Sequence, residues 1–498
     1  MSSLPAPPPP RYRQIAQHYL AAIESGTLVA GQRFPSVRQI MQTQNVSMST
    51  AVQACHWLED RGHVQARPRS GYYVQAAPRA LVRLAADEPA RLADTRAHFK
   101  GLPAFISQWL ARTERMVLPI NFAIAVGAPE LYPTQALQRH ASSVLRQQPQ
   151  VLTRMARRYG HLDFTQVLAR RAVSQGLTLA PHEIIVTSGC TEAINLALRA
   201  VCERGDAVAV ESPTFYGILQ IVEALGLVPV ELPTSATTGL SIDALEMALE
   251  QRAPAIRAVL VMPTVHNPLG CTMPDAHKAA LVALCARHRV PLIEDSIYAA
   301  LDAEQALTRP LKAWDTDGAV IHCSSLNKIL APGLRLGWMA AGRWHARAEM
   351  LKYTQTRFPE ELGQLIAARY LGSGAFDRHL RQLQTVLRTR RQQMADAIGH
   401  HFGQHFGPGA VRLHMPTGGL LLWLELPAGI SATRLAEAAL AEGIRTAPGP
   451  MFSSQARFDR FMRLSCGAVS APQIDHGIAA LARLAATALQ ARRGRENP

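Results

Sequence analysis

The chain has 498 residues, 48% hydrophobic and 18% charged, and its 52 Lys and Arg against 37 Asp and Glu leave a formal charge of +15. That length excludes one ordinary core and predicts two or more domains. No apolar run reaches the roughly 18 residues of a membrane span. Met1–Pro10 is proline-rich and lacks a charged-then-apolar leader pattern, so a soluble, cytoplasmic chain is expected. The seven cysteines are scattered, with no Cys-x-x-Cys pair, which predicts reduced thiols rather than a disulfide framework. A basic surplus attracts polyanions, so where the charge sits carries the information.

Over Arg11–Ser25, Tyr12, Ile15, Ala16, Tyr19, Leu20 and Ile23 form one apolar stripe closed by Gly26, which predicts an amphipathic helix. Pro35-Ser36 opens a second, short helix with Ser36 as its N-cap, and Ser47 or Ser49 starts a third that turns Val52, Cys55 and Leu58 inward. Two strands follow, about Val64–Arg67 and Tyr72–Val74. Three small helices and a hairpin make a winged helix-turn-helix. In that geometry the third helix enters the major groove of double-stranded DNA, with Ser47, Met48, Ser49, Thr50 and Gln53 facing bases or phosphates. Arg38, Arg67 and Arg69 are placed for phosphate or minor-groove contact. Residues 1–80 hold eight arginines (Arg11, Arg13, Arg33, Arg38, Arg61, Arg67, Arg69, Arg79) against three acids (Glu24, Glu59, Asp60), so this segment carries its share of the surplus.

Tyr12-Arg13-Gln14-Ile15-Ala16, Gly31-Gln32-Arg33-Phe34-Pro35-Ser36-Val37-Arg38, Val46-Ser47-Met48-Ser49-Thr50 and Arg67-Pro68-Arg69-Ser70-Gly71-Tyr72-Tyr73-Val74 resemble the GntR superfamily of bacterial DNA-binding domains over residues 11–74. The resemblance implies a DNA operator as partner, with Gly71 among the wing positions. Many members carry a basic residue where Met48 stands here. From Gln75 to about Met116 the pattern weakens and Pro78, Pro89 and Pro103 interrupt it. The expected organisation is a DNA-binding domain over 1–78, a partly helical linker over 79–118 and a large domain over 119–490.

Beyond Asn121, short apolar runs alternate with helical segments. Ile184–Thr187, Ala207–Val210, Ala258–Val261, Pro291–Ile293 and Val320–Cys323 are buried-strand candidates spaced for crossover units. The predicted fold class is α/β with a mostly parallel sheet, ligands sitting beyond the carboxyl ends of its strands. Polar motifs fall at those ends. Gly189 lets the backbone approach an anion closely, with the amides of Cys190 and Thr191 opening a helix toward it. Phe215 offers a ring to lie on an aromatic ligand, and Asn267 an amide for a phenolate oxygen. Asp295 is a carboxylate able to keep a pyridine nitrogen protonated, and Tyr298 stands beside it.

The sharpest stretch is Ser324-Ser325-Leu326-Asn327-Lys328, with Arg335 following Pro332-Gly333. A lysine shielded from water has a lowered pKa and can form a Schiff base with an aldehyde, while Ser325 and Arg335 grip a phosphate of the same ligand. Pyridoxal phosphate has both groups. Farther on, Gly418–Pro427 reads as a strand of a smaller α+β subdomain. Arg463, on a short strand, is the candidate for a substrate carboxylate. His401 and His405 lie four apart, with no third ligand near in sequence, and read as ordinary side chains with no metal.

These motifs resemble fold-type I pyridoxal-phosphate enzymes of the class I aminotransferase group, over residues 119–490. The resemblance implies a phosphate cup from Gly189, Cys190, Ser325 and Arg335, a stacking ring at Phe215, and Asn267 with Tyr298 on the phenolate. It also implies Asp295 on the pyridine nitrogen, Lys328 as the internal aldimine, and Tyr159 reaching the phosphate in a neighbouring subunit of a homodimer. Phe164 stands where the family usually has glycine, Asn327 where a serine usually precedes the lysine, and Phe215 where tyrosine is common. The whole resembles a MocR-type transcription regulator, which implies sensing of an amine or amino acid through the lysine-bound cofactor. Two rivals are a working aminotransferase, since no residue that half-transamination needs is missing, and a DNA-binding module whose body only dimerises it.

Overall fold

The computed structural model describes residues 10–59, 61, 63–67, 70–75, 102–114, 116, 118–250, 255–302, 309–455 and 457–496. They fall into two compact units, within 1–97 and within 98–498.

In the first unit, α1 (Arg11–Glu24) buries Ile15, Ala16 and Tyr19, and Gly26 follows at φ 76°, a left-handed value that glycine adopts without cost. The second helix, α2 (Val37–Gln44), opens on a reciprocal cap: the Gln39 amide donates to Ser36 Oγ at 3.3 Å, and the Ser36 amide to Gln39 Oε1 at 2.9 Å. That pairing satisfies donors which a helix start otherwise leaves open. The third helix, α3 (Met48–Glu59), begins after Ser47, whose Oγ accepts from the Thr50 amide at 3.4 Å. Strands β1 (Val64–Arg67) and β2 (Gly71–Val74) pair antiparallel, and Val64 and Val74 seal a core with Phe34, Ile40, Ala51, Ala54, Cys55 and Leu58. Three helices and a hairpin are the winged arrangement that the apolar spacing predicts.

The second unit begins with α4 (Leu102–Glu114), inside the span expected as linker. Ile106 and Trp109 of this helix are buried in the core of the large unit. Then come β3 (Ile120–Asn121), α5 (Thr134–Gln147), α6 (Leu162–Val173), β4 (Ile184–Thr187), α7 (Cys190–Val201), β5 (Ala207–Ser212), α8 (Tyr216–Ala224), β6 (Val228–Ser235) and β7 (Gly239–Leu240). The chain continues through α9 (Ile242–Glu250), β8 (Ile256–Val261), α10 (Asp275–Arg287), β9 (Leu292–Asp295), β10 (Val320–Ser325), β11 (Gly337–Ala340), α11 (His345–Thr356) and α12 (Leu362–Leu371). It closes with α13 (Gly374–Phe406), β12 (Arg412–Leu413), β13 (Leu421–Glu425), α14 (Ala432–Ala441), β14 (Ile444–Arg445), β15 (Ala447–Pro448), β16 (Phe461–Ser465) and α15 (Ala471–Glu496).

Eight strands form the main sheet in the order β4-β11-β10-β9-β8-β5-β6-β7. Neighbours from β10 to β6 run parallel, whereas β11 is antiparallel to both β4 and β10, and β7 is antiparallel to β6. The five predicted strands are all present, each buried along nearly its whole length, as a sheet covered on both faces requires. A smaller antiparallel sheet, β12-β13-β16-β15, carries Arg463 on β16. No helix among the described residues is long and apolar enough to cross a membrane.

One contact ties the sheet to its strand-end loops. Gly337 of β11 lies so close to Gly189 that an added Cβ would stand 2.5 Å from the Gly189 carbonyl carbon and 2.7 Å from its Cα. These are backbone atoms, so they cannot swing aside. Gly337→Ala is therefore expected to cost about 1–3 kcal/mol, the range for overpacking a tight interior, read as a lower urea midpoint at unchanged slope. An unchanged midpoint would mean that the two backbones have slack.

Candidate functional site

The carboxyl ends of the parallel strands bring the predicted residues of the large unit to one place. After β4 the chain turns at Gly189, φ 89°, and enters α7 with no side chain capping it. The first amides of a helix have no partner within it and carry the positive end of its dipole, so this end faces the site as an anion receptor. Arg335 stands over it in a left-handed turn at φ 54°, its Nη2 donating to the Ser188 carbonyl at 3.2 Å. A Cβ on Gly189 would lie 3.1 Å from Asn327 Nδ2 and 3.4 Å from Arg335 Nη2. The buried Asn327 Oδ1 has no hydrogen-bond partner among the described residues, while the Asn327 amide donates to Ser325 Oγ at 3.4 Å. Thr191 is exposed on the first turn of α7.

Asp295, the last residue of β9, is buried, and its Oδ1 accepts from the Cys190 thiol at 3.1 Å and from the Ile297 amide at 3.0 Å. Burial pushes this carboxyl up to about 6, against the lowering pull of those two donors and of Lys328. Lys328 Nζ donates to the Ala125 carbonyl at 2.7 Å and lies 5.4 Å from the centre of the Tyr298 ring. Loss of water brings its pKa down to about 8; the nearby Arg463 adds to the fall and Asp295 opposes it. Burial pushes the Tyr298 hydroxyl up.

Arg463 is 1% exposed. Its Nη1 donates to Asn267 Oδ1 at 3.2 Å, its Nη2 donates to the Ala123 carbonyl, and its Nε has no partner among the described residues. Its guanidinium carbon lies 5.2 Å from the centre of the Phe452 ring and 6.0 Å from that of Tyr216. Phe215 packs tilted on Tyr216 with ring centres 4.7 Å apart. Tyr159, by contrast, is 48% exposed at the surface. Phe164, where a glycine was noted as usual, is fully buried in the core beneath α6.

Some participants escaped sequence reasoning. The carbonyls of Ala123 and Ala125 carry no side-chain signal. Glu211, at the end of β5, is a buried carboxylate whose Oε2 accepts from the Met262 amide at 2.7 Å and lies 3.2 Å from His266 Nε2. It thereby holds the loop that presents Asn267. An acid ending an otherwise apolar strand was the available clue. His401 Nε2 lies 2.8 Å from Asp475 Oδ1.

On the first unit, Ser47 Oγ is 2.9 Å from both Ser49 Oγ and Thr50 Oγ1, so the three hydroxyls at the start of α3 form one cluster. Met48 projects beside them, 64% exposed, and Arg38 is exposed on α2. Arg67 stacks over the Tyr73 ring at 4.2 Å, and Gly71 takes φ 92°. Arg69 lies outside the described residues. Arg33, not singled out by the sequence, bridges to Tyr73 across the base of the hairpin.

Residues 125–481 match the family "Aminotransferase class I and II", and residues 11–74 match "Bacterial regulatory proteins, gntR family". Two curated relatives are HTH-type transcriptional regulators of Escherichia coli, both described as uncharacterized. YdcR is 37% identical over 91% of this chain and 94% of its own length, and YjiR 34% identical over 92% and 94%. Among solved structures, the α-aminoadipate aminotransferase LysN of Thermus thermophilus, complexed with N-(5'-phosphopyridoxyl)-L-leucine, superposes with TM-score 0.69. It is 25% identical and covers 77% of this chain and 95% of its own.

The shifted groups fix a pH signature. A lysine whose folded pKa is about 8 against its ordinary 10.5 binds fewer protons than in the unfolded chain between those values. The lysine's own contribution to stability therefore rises with pH across that window, by up to about 3 kcal/mol, against the opposite slope of the buried thiols, whose pKa values burial pushes up. For Asp295, raised from 3.8 to about 6, stability falls as pH rises between those values. Without added cofactor, the stability of the wild type relative to Lys328→Met is therefore expected to climb between pH 8 and 10.5 in urea unfolding. Parallel curves for the two proteins would put the lysine amine in water.

Proposed function

The chain belongs to the aminotransferase class I and II family and carries a gntR-family regulatory domain, the combination of MocR-type regulators, and from that premise we propose that it is a pyridoxal-phosphate-dependent, DNA-binding transcription regulator that senses an amine or amino acid. The observation that carries the reading is the convergence of Lys328, Asp295 and a buried, incompletely paired Arg463 beside the open start of α7.

The donor set fits that cofactor. Gly189 leaves a cradle that a side chain would fill against Asn327 and Arg335, and the unpartnered Asn327 Oδ1 and Arg463 Nε are polar atoms that need ligands. Gly189, Cys190, Thr191, Ser325 and Arg335 would hold the phosphate, Phe215 would cover the ring face, and Asn267 and Tyr298 would stand at the phenolic oxygen. Lys328 would hold the aldehyde carbon. Bound there, the cofactor supplies an electrophilic carbon for amines and a ring that withdraws electrons when its nitrogen is protonated. Asp295 would keep that proton in place, and its Oδ1 contacts to Cys190 and Ile297 fix its orientation. With a pKa near 8, the Lys328 amine can give up and regain a proton close to neutrality. Arg463 would fork onto the carboxylate of an amino acid.

In a homodimer, the exposed Tyr159 would reach the partner's phosphate site. Two heads would then read two half-sites, with Ser47, Ser49 and Thr50 at the groove and Arg38, Arg67, Arg69 and Gly71 along the backbone. An effector shifts such a pair only by binding one arrangement better than another. Transaminase chemistry is the second reading. The near-neutral lysine serves both readings, because an amine must lose its proton to anchor an aldehyde and can also carry a proton between atoms of a ligand.

Titration of the protein with pyridoxal phosphate, then amino acids, is expected to give an imine absorbance band that moves on amino-acid addition, and Lys328→Ala should lack it. Identical spectra from both proteins would remove the lysine from the assignment. For the head, Arg38→Ala should weaken binding to its own promoter and lower the salt slope by about 1, the effect of one lost phosphate contact. An unchanged slope would take Arg38 off the DNA.

A further inference from the structure

Successive side chains on a strand point to opposite faces of its sheet. At the end of β9 this sends two adjacent carboxylates apart. Asp295 meets the Cys190 thiol on one face. Glu294 lies on the other, where it accepts from Ser296 Oγ at 2.8 Å and from the Lys312 amide at 3.2 Å. His322, its cross-strand partner on β10, brings Nδ1 within 3.3 Å. Burial alone would raise the Glu294 pKa, but the hydrogen bonds and charge of His322 and the Ser296 hydroxyl outweigh it, and the group sits below its usual value. A carboxylate only accepts, so His322 Nδ1 carries the proton and the ring is oriented with Nε2 pointing away.

That Nε2 makes no hydrogen bond among the described residues, although His322 is 4% exposed. His322 lines a cavity of about 480 Å³ between this face of the sheet, α6 and α13. The volume lies in the roughly 300–1,000 Å³ range of small-molecule sites. Leu168 of α6, Ile184 and Trp338 of the sheet, and Phe376 and Leu380 of α13 give it apolar walls. Thr264, Ser296 and Ser324 add hydroxyls to the lining, and Asp302, Gln384 and the exposed Arg381 reach it too. Arg171, also on the wall, is held by Asp377 at 2.7 Å and stacks on Phe376. Leu326 and Ile329, on either side of Lys328 in sequence, line the cavity too, whereas Lys328 and Asp295 do not.

We propose that this cavity is a second small-molecule site, behind the sheet from Asp295, that takes a phenol. The aromatic walls suit a ring, and a hydroxyl satisfies Nε2 in either state of the imidazole, donating to the neutral ring or accepting from the charged one. Of the charged groups on the wall, Asp302 accepts from Thr272 Oγ1 at 2.9 Å and Arg171 is held by Asp377, so a ligand's hydroxyl finds its open partner at His322. Of the residues in the cofactor reading only Ser325 also lines this cavity, and the proposed contact at His322 does not rest on that reading.

The test is calorimetric titration of the full chain, without cofactor, with p-cresol and with toluene, which differ by the hydroxyl. The wild type is expected to bind p-cresol saturably and about tenfold more tightly than toluene, the worth of one buried hydrogen bond. His322→Asn keeps an N–H near Glu294 but removes the Nε2 position, so the preference should vanish while toluene binding persists. Leu380→Trp fills the cavity and should abolish both. No saturable p-cresol binding, an unchanged preference in His322→Asn, or full binding in Leu380→Trp would each overturn the proposal.

Discussion

The large unit depends on keeping three charged groups in a space with little water. Lys328, Asp295 and Arg463 come from three different stretches of chain and set one another's charge: burial and the guanidinium press the amine toward neutrality, the carboxylate pulls it back, and burial lifts the carboxylate. None of the three is stable there alone, because an unpaired buried charge costs several kcal/mol. Each is therefore tied to backbone or side-chain partners, namely the Ala125 carbonyl, the Cys190 thiol with the Ile297 amide, and Asn267 with the Ala123 carbonyl. Ala123 and Ala125 follow β3, which pairs with β14 of the C-terminal part, so the same short segment that satisfies the lysine and the arginine also binds the unit's two ends together.

How far the sequence disclosed this follows from what each feature leaves in the side chains. Strands β4, β5, β8, β9 and β10 were legible because a sheet covered on both faces needs unbroken apolar runs, and the glycines and polar residues that follow mark their ends. Ser36 was legible as a cap because it follows Pro35 and precedes the apolar positions Val37, Ile40 and Met41; the box that Gln39 completes is what the structure adds. The winged unit followed from apolar spacing alone. The antiparallel placement of β11 was not readable, since Gly337–Ala340 carries no sign of direction and the turn at Arg335 that reverses it uses a left-handed arginine where glycine would be the usual clue. Helix α4 was read as part of a linker because Ala, Arg and Asp dominate residues 75–116 and Pro78, Pro89 and Pro103 interrupt them, which masks the short apolar stretch around Ile106 and Trp109. Partners that are carbonyls, such as Ala123 and Ala125, leave no trace in residue type at all.

The same limit explains why the far face of β9 stayed silent. Glu294-Asp295 reads as two neighbouring acids, and a motif at a strand end draws attention to whichever residue faces the expected ligand. Alternation gives the other residue to the opposite side, where Glu294 and His322 lie opposite one another in register. Neither residue is unusual alone. Their meeting depends on the order of strands in the sheet, which no local pattern encodes.

Arg463 is also where small-molecule binding and rearrangement of the body would meet. It stands on β16 of the small sheet, and its bonds to Asn267 and Ala123 link that sheet to the strand-end loops of the large one. The guanidinium has five N–H groups, of which one on Nη1 and one on Nη2 serve that link, so a carboxylate that took only Nε would leave the link whole, whereas one that also took Nη1 from Asn267 would break half of it. The small sheet is held independently by Glu231, which accepts from Ser212 Oγ at 2.6 Å and from Ser453 Oγ at 2.8 Å, and by the Thr214 amide donating to the Phe452 carbonyl at 2.9 Å. Exchange of partners at Arg463 therefore changes how the small sheet is held without releasing it. A ligand that only strengthened existing contacts would shift nothing; one that replaces Asn267 at Arg463 binds two arrangements of the body with different affinity, which is the requirement for any signal to leave the site.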